Sequence, residues 1–179
     1  MKKLLLLGLV ALFLAACSQE KAEIALDPVA FHSGDECHVC GMVINEWTGP
    51  KGEAIDGRNG EVKKFCSTTD LFTWYLQPEN KQFKGAIYVH DMAKAHWDKP
   101  DDHYLIDAST AFYVQGSKKH GMGPTLASFS SQEAAEHFAH EQGGRVLSFA
   151  QISIDTLSEI ARQGADPEAP AAAHPAHGH

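Results

Sequence analysis

The chain has 179 residues, with 15 Lys and Arg against 23 Asp and Glu and a formal net charge of −8 at pH 7. That balance excludes a nucleic-acid binder built on a basic face. With 44% hydrophobic and 21% charged residues, there is enough apolar surface for one compact domain, or for two small units sharing a core.

Residues 1–16 read as an export leader: Lys2 and Lys3, an apolar stretch from Leu4 to Leu14, then Ala15 and Ala16 before Cys17. The segment Leu14-Ala15-Ala16-Cys17 resembles a bacterial lipobox, which implies that Cys17 is acylated on sulfur and serves as an anchor rather than a ligand. The apolar run is shorter than the roughly 18 residues of a membrane span and gives way to Ser18-Gln19-Glu20-Lys21. A chain tethered to a membrane without crossing it is expected. No acidic residue directly follows Cys17, which by resemblance to lipoprotein sorting points to the periplasmic face of the outer membrane. With Cys17 acylated, Cys37, Cys40 and Cys66 remain in an oxidising compartment, and an odd count argues against a pure disulfide framework.

Residues 17–30 are expected to carry the lipidated Cys17 and a polar tether, and residues 31–165 to form the folded domain. Two stretches in it share the same punctuation. The first, about 36–92, has Gly41-Met42, then Phe65-Cys66-Ser67-Thr68-Thr69-Asp70, an apolar run with Leu71, Phe72, Trp74 and Tyr75, and Ala86-Ile87-Tyr88-Val89. The second, about 103–150, has Gly121-Met122, then Phe129-Ser130-Ser131-Gln132-Glu133, a run with Ala134, Ala135, Phe138 and Ala139, Gly143-Gly144, and Val146-Leu147-Ser148-Phe149. Ser67 with Asp70, and Ser130 with Glu133, have capping-box or related spacing, so each stretch places a helix after a strand. Gly143-Gly144 ends the second helix. A last helix is expected from about Asp155 to Gln163, with Thr156 and Glu159 at its start and Gly164 at its stop. The predicted class is α+β: two similar small strand-helix-strand modules packed into one compact unit, plus the C-terminal helix. Residues 166–179, Pro/Ala-rich with His174, His177 and His179, read as a disordered tail whose histidines either capture metal or have no role.

Chemistry concentrates in Cys37-His38-Val39-Cys40-Gly41-Met42, where two thiols, an imidazole and a thioether follow Asp35-Glu36. Soft sulfur donors match Cu(I), whereas calcium and magnesium want oxygen. Gly41 in place of a His after Cys40 excludes c-type haem attachment. A structural zinc site needs four ligands, and without a second CxxC it would have to recruit Cys66 or a His. A thioredoxin-like exchanger needs its CxxC at a helix N-terminus, but Val43-Ile44 suggests a strand here. A structural Cys37–Cys40 disulfide stays open.

Met122, flanked by Gly121 and Gly123-Pro124, sits in a loop rather than an apolar-periodic stretch and reads as a ligand. Met92, beside His90 and Asp91, is a further candidate donor. Cys66 precedes a helix start, where thiols become reactive, yet a buried small hydrophobe is the favoured reading. His96-Trp97-Asp98 and His103 read as a polar connector. Gly49-Pro50-Lys51-Gly52 lacks P-loop spacing and reads as a turn. With no nucleophile–base pair or paired carboxylates evident, binding explains the sequence better than catalysis, and no enzyme is expected.

At these residues the chain resembles the NosL family, copper-binding lipoproteins that assist maturation of nitrous oxide reductase. The marks are the lipobox, Cys37-His38-Val39-Cys40-Gly41-Met42, Gly49-Pro50-Lys51-Gly52, Phe65-Cys66-Ser67-Thr68-Thr69-Asp70, Tyr88-Val89-His90-Asp91, Met122-Gly123-Pro124 and Gly143-Gly144. The resemblance implies a metallochaperone that hands Cu(I) to the reductase with the help of a membrane transporter complex. It implies Cys40, Met42 and Met122 as ligands, facing each other across the module boundary, with Cys37 and His38 as second choices. The rival reading is a periplasmic thiol-disulfide redox protein using Cys37 and Cys40. The His-rich tail is not part of the resemblance.

Overall fold

Two antiparallel sheets built on one pattern make up the fold. The computed structural model describes residues 24–165; the expected leader, Cys17, the first part of the tether and the tail 166–179 lie outside the described residues. The first sheet holds β1 (Gly52–Asp56), β2 (Val62–Phe65), β3 (Gly85–His90) and β4 (Leu105–Asp107) in the order β2-β1-β3-β4. The second holds β5 (Phe112–Gln115), β8 (Ala127–Phe129) and β9 (Arg145–Ser148) in the order β8-β5-β9, and a short hairpin of β6 (His120–Gly121) and β7 (Gly123–Pro124) lies apart. Helix α1 (Thr68–Tyr75) joins β2 to β3, α2 (Gln132–Gln142) joins β8 to β9, and α3 (Ile154–Gly164) follows. Both flanking strands of each sheet run antiparallel to the central one. Each helix therefore connects two strands that are parallel to one another and split by a third, the split strand-helix-strand arrangement.

The α+β class and the repeated punctuation thus match the structure, and among the described residues no helix is long and apolar enough to cross a membrane. One pairing joins the two stretches: β4 belongs to the second in sequence but pairs with β3 of the first, Val89 opposite Ile106.

Helix starts follow from side-chain caps. Ser67 Oγ accepts the Asp70 amide at 3.0 Å, as its spacing predicts. The second helix corrects the expectation by one residue: its cap is Ser131, whose Oγ accepts the Ala134 amide at 3.2 Å. The Ser130 amide donates to Asp91 Oδ1 at 3.0 Å, fastening the end of β8 to the end of β3. The last helix is likewise capped earlier, by Ser153, in a reciprocal box with Thr156. Gly143 and Gly144 take φ of 78° and 100° at the end of α2. The strand expected at Val43-Ile44 is reduced to a single bridge between Glu36 and Val43, followed by a 3-10 turn at Ile44–Glu46. Fully buried Ile44 is drawn into the core there.

The core is continuous across the two sheets. Phe72 of α1 meets Tyr113 of β5 edge-on at 5.1 Å and Phe149 at 5.6 Å, while in a second cluster Phe129 of β8 meets Phe138 of α2 at 5.0 Å. His90 Nδ1 accepts the Lys51 amide at 3.1 Å, its Nε2 donates to Asp102 Oδ1 at 3.1 Å, and its carbonyl accepts Ser128 Oγ at 2.7 Å. Tyr88-Val89-His90-Asp91 therefore joins the sheets instead of offering ligands.

A buried acid on β1 makes stability depend on pH. Glu53 is fully buried, with Oε1 accepting the Val29 amide at 2.8 Å and Oε2 without a hydrogen bond. Burial pushes its carboxyl up to about 7 from the ordinary 4.5. The folded protein thus holds a proton that the unfolded chain releases, so this contribution is full below pH 4.5 and is lost as pH rises to 7. Thermal unfolding should show wild type losing about 3 kcal/mol across that window, and Glu53→Gln should remove most of the slope. An unchanged slope in the variant would assign the pH dependence elsewhere.

Candidate metal centre

Segments far apart in sequence converge beside the end of β2. The loop around Cys37 closes on itself: the Cys37 amide donates to the Met42 carbonyl and the Gly41 amide to the Cys37 carbonyl, each at 2.8 Å. Gly41 has φ of 71°, a left-handed turn that glycine enters at little cost. The His38 amide donates to the Lys64 carbonyl at 2.8 Å, and Lys64 Nζ to Asp35 Oδ2 at 2.5 Å. These bonds staple the loop to β2, which ends one residue before Cys66. Cys66 in turn precedes the Ser67 cap, and Asp70 stands at the third position of α1, one helical turn away.

Met122 arrives from the second half of the chain, at the tip of the β6–β7 hairpin. The backbone passes so close to Thr48 that a Cβ on Gly121 would lie 2.7 Å from the Thr48 carbonyl oxygen. Trp97 Nε1 donates to the His120 carbonyl at 2.9 Å, and Thr48 Oγ1 donates to the same oxygen at 3.3 Å. Beyond the hairpin, Thr68 Oγ1 donates to the Leu126 carbonyl at 2.5 Å, tying the start of α1 to the strand that follows Met122.

The outcome is a sulfur cluster. Cys40 Sγ lies 3.4 Å from Cys66 Sγ and 3.9 Å from Met122 Sδ, and Cys66 Sγ lies 3.4 Å from Met122 Sδ. Asp70 Oδ2 lies 2.9 Å from Cys66 Sγ and 3.7 Å from Cys37 Sγ. The ligand atoms of Cys37, Cys40, Cys66 and Asp70 all fall within 4.8 Å of one another. Cys37 and Cys66 are buried while Cys40 is exposed, and all three are free thiols.

So many acidic groups this close cannot all be anions. Hydrogen bonding from the Cys66 thiol, helped by the amides of Cys66, Cys40 and Val39, outweighs burial and lowers Cys37 to about 4. The Cys66 thiol is pushed far up by that same bond to Cys37, by burial and by Asp70. Burial raises Cys40 and Asp70 as well. Negative charge is therefore favoured on Cys37, and the Cys40 and Cys66 thiols keep protons that a cation could displace. A buried cation stands near: Lys51, 3% exposed, donates through Nζ to the carbonyls of Trp47 at 2.5 Å and Thr48 at 3.0 Å. Burial brings its ammonium down to about 8, and the neighbouring Cys66 and Cys37 sulfur groups act the other way.

Of the residues singled out from sequence, Cys37, Cys40 and Met122 are brought together. Met42 is 48% exposed on the same loop. His38 turns its imidazole edge-on to Phe65 and Trp74, at 6.1 and 6.4 Å, and is outside the cluster. Met92 packs with the core under α2, far from a donor role. Cys17 and the tail histidines lie outside the described residues. Cys66 corrects the sequence reading: it is buried, as favoured there, but as a member of the cluster rather than as a small hydrophobe. Asp70 and Lys51 were missed. The Cys66-x-x-x-Asp70 spacing, one turn across a helix start, could have signalled the first.

The fold and the cluster define a two-sheet α+β domain with a sulfur-rich centre shared between its halves. The sequence pattern of the NosL family matches residues 28–157, and the chain belongs to the NosL family. It is 49% identical over 178 residues to the copper-binding lipoprotein NosL of Stutzerimonas stutzeri, covering 97% of this chain and 93% of that one. A second relative, the copper-binding lipoprotein NosL of Achromobacter cycloclastes, is 35% identical over 167 residues, covering 90% of this chain and 86% of its own. The crystal structure of the copper chaperone NosL from Shewanella denitrificans superposes with a TM-score of 0.71 at 42% identity, covering 73% of this chain and 98% of that one.

Proposed function

We propose that this chain is a lipid-anchored copper chaperone that carries Cu(I) on Cys40, Cys66 and Met122. The observation that carries this reading is the sulfur triangle. With sides of 3.4, 3.4 and 3.9 Å, its centre lies about 2.1 Å from each sulfur, close to the roughly 2.3 Å of a thiolate–metal bond. Two thiolates and a thioether in a triangle suit a soft ion content with few ligands. Cys37 supplies a neighbouring negative charge and Lys51 a compensating positive one. Met42 stands by on the exposed loop as an entry or exit donor, and His38 would have to leave its aromatic packing to bind.

Exposure sets the order of transfer. Cys40 is open to solvent and Met122 half-buried, so an acceptor's ligands reach these first, while buried Cys66 lets go last. The acceptor we propose is nitrous oxide reductase, reached with the help of its maturation transporter complex. Acylation of Cys17 at the periplasmic face of the outer membrane would hold the carrier in that compartment.

Anaerobic competition against a Cu(I) chelator tests the reading. Cys40→Ser is expected to weaken binding more than Met122→Ala, because a thiolate contributes charge as well as sulfur. Since Cys40 and Cys66 keep their protons in the free protein, affinity should rise with pH, by about tenfold per pH unit for each proton released. Equal affinity in both variants and wild type, or no pH dependence between 6 and 8, would contradict the ligand set.

A further inference from the structure

Charge is divided unevenly between the two ends of the first sheet. At one end β1 finishes at Asp56, β2 begins at Val62 and β3 begins at Gly85; at the other lie Gly52, Phe65 and His90. Cys66 follows Phe65, so the sulfur cluster belongs to the second end. A hollow of about 640 Å³ there is lined by Glu46, Asp98, Asp101 and Asp102 against Lys51 and Lys99, and Lys51 is already bonded to the Trp47 and Thr48 carbonyls. The first end is the reverse. A hollow of about 580 Å³ is lined by Arg58, Lys81, Gln82, Phe83 and Lys84, with no acid among them. The Gly57 amide donates to the Lys84 carbonyl at 2.7 Å, and a Cβ on Gly57 would lie 2.8 Å from that oxygen. The β1–β2 turn and the segment before β3 are thereby locked side by side, which puts the three cations on one platform. Lys81 and Lys84 are exposed and make no ion pair among the described residues. The Arg58 side chain is 72% exposed and turns Nε and Nη2 to Asp56. Of the other acids nearby, Glu61 is paired with Lys63 and Glu79 lines the adjoining hollow. Ile24, the first residue described, packs against Gly60 of the same turn.

We infer that this cationic end is a docking surface for anionic phospholipid headgroups, which seats the domain on its membrane with the sulfur cluster turned away. The inference rests on the lipid-anchored reading above. A headgroup phosphate is met by charge-assisted donors, the Arg58 guanidinium and two ammonium groups, and half-buried Phe83 gives the hollow an apolar floor. With a net charge of −8, the protein as a whole is repelled by an anionic surface. The favoured orientation therefore turns the acid-free cationic hollow to the lipid and the acidic end away, each cation near the surface strengthening the contact about fivefold. The four residues of β2 separate the turn from Cys66, about 13 Å of strand, which exceeds the roughly 8 Å over which the lipid charge is felt at physiological salt. The thiols are then free of the membrane's field and open to a partner in solution.

Amide hydrogen exchange on the full acylated chain tests this, with vesicles rich in phosphatidylglycerol set against vesicles of phosphatidylcholine alone. On the anionic vesicles the amides of residues 58–61 and 81–85 should exchange at least about tenfold more slowly than on phosphatidylcholine, while those of the Cys37–Met42 loop stay unchanged. Molar salt should remove the difference. Lys81→Gln with Lys84→Gln takes away two unpaired surface charges and should abolish most of the protection, with Cu(I) affinity and melting temperature as in wild type. Wild-type protection in that variant would overturn the inference. So would protection that needs no vesicle and rises with protein concentration, which would assign this end to contact between copies of the chain. A chain that floats with both vesicles but exchanges equally on them overturns the docking alone; one that floats with neither overturns the lipid-anchored reading as well.

Discussion

Replacing Cys66 with serine is expected to abolish tight Cu(I) binding, lowering affinity by more than about a hundredfold, the upper end of what losing even an outer-shell partner costs a metal site. Cys66 is the thiol within 3.4 Å of both Cys40 and Met122, so its loss opens the triangle at the vertex shared by the two shortest sides. The hydroxyl that replaces it is a hard donor with little affinity for a soft ion. It can still donate to Asp70 Oδ2, 2.9 Å away in the wild type, which should preserve the start of α1 and keep the fold intact by circular dichroism. Were Cys66→Ser to bind Cu(I) as wild type does, Cys66 would be a packing residue and the site would have to be built from the Cys37–Met42 loop alone.

Gly121→Ala should weaken copper binding without touching a single sulfur. Its Cβ would meet the Thr48 carbonyl oxygen at 2.7 Å, a backbone atom that cannot rotate away. Forcing an extra carbon into so close a contact costs about 1–3 kcal/mol. Relief requires the β6–β7 hairpin to move off the Thr48 segment, and Met122 moves with it. The expected result is a variant that melts several degrees lower and binds Cu(I) about as weakly as Met122→Ala. A Gly121→Ala chain with reduced stability and full affinity would show that the hairpin does not position the thioether.

The halves of the fold were legible because their helices announce themselves. Ser67 marks one start and Ser130 another, one residue before the true cap Ser131, Gly143-Gly144 marks a stop, and the apolar runs between them have helical period. The central strands were not. β1 reads Gly-Glu-Ala-Ile-Asp and is buried throughout, yet its two acids hide it among turns, since what buries Glu53 is strand pairing on both sides rather than its own character. The short β4 and the β6–β7 hairpin depend on partners many residues away and carry no local period.

The site divides in the same way. Cys37, Cys40 and Met42 were visible from local density, and Met122 from the glycines around it. Cys66 joins Cys40 only because the His38 amide docks on Lys64, a contact 26 residues away in sequence that no local pattern records. Asp70 was read as a cap alone, although its amide serves that role while its carboxylate serves the thiols. His38 stood in the densest motif, but Phe65 and Trp74 offered its ring an apolar wall away from the sulfurs.

Copper K-edge X-ray absorption on the reduced, Cu(I)-loaded full chain tests the central claim most directly. The sulfur triangle predicts three sulfur neighbours near 2.3 Å and an edge characteristic of Cu(I), with one sulfur lost in Met122→Ala. A first shell dominated by nitrogen or oxygen, or a sulfur count unchanged in Cys40→Ser, Cys66→Ser and Met122→Ala alike, would contradict it.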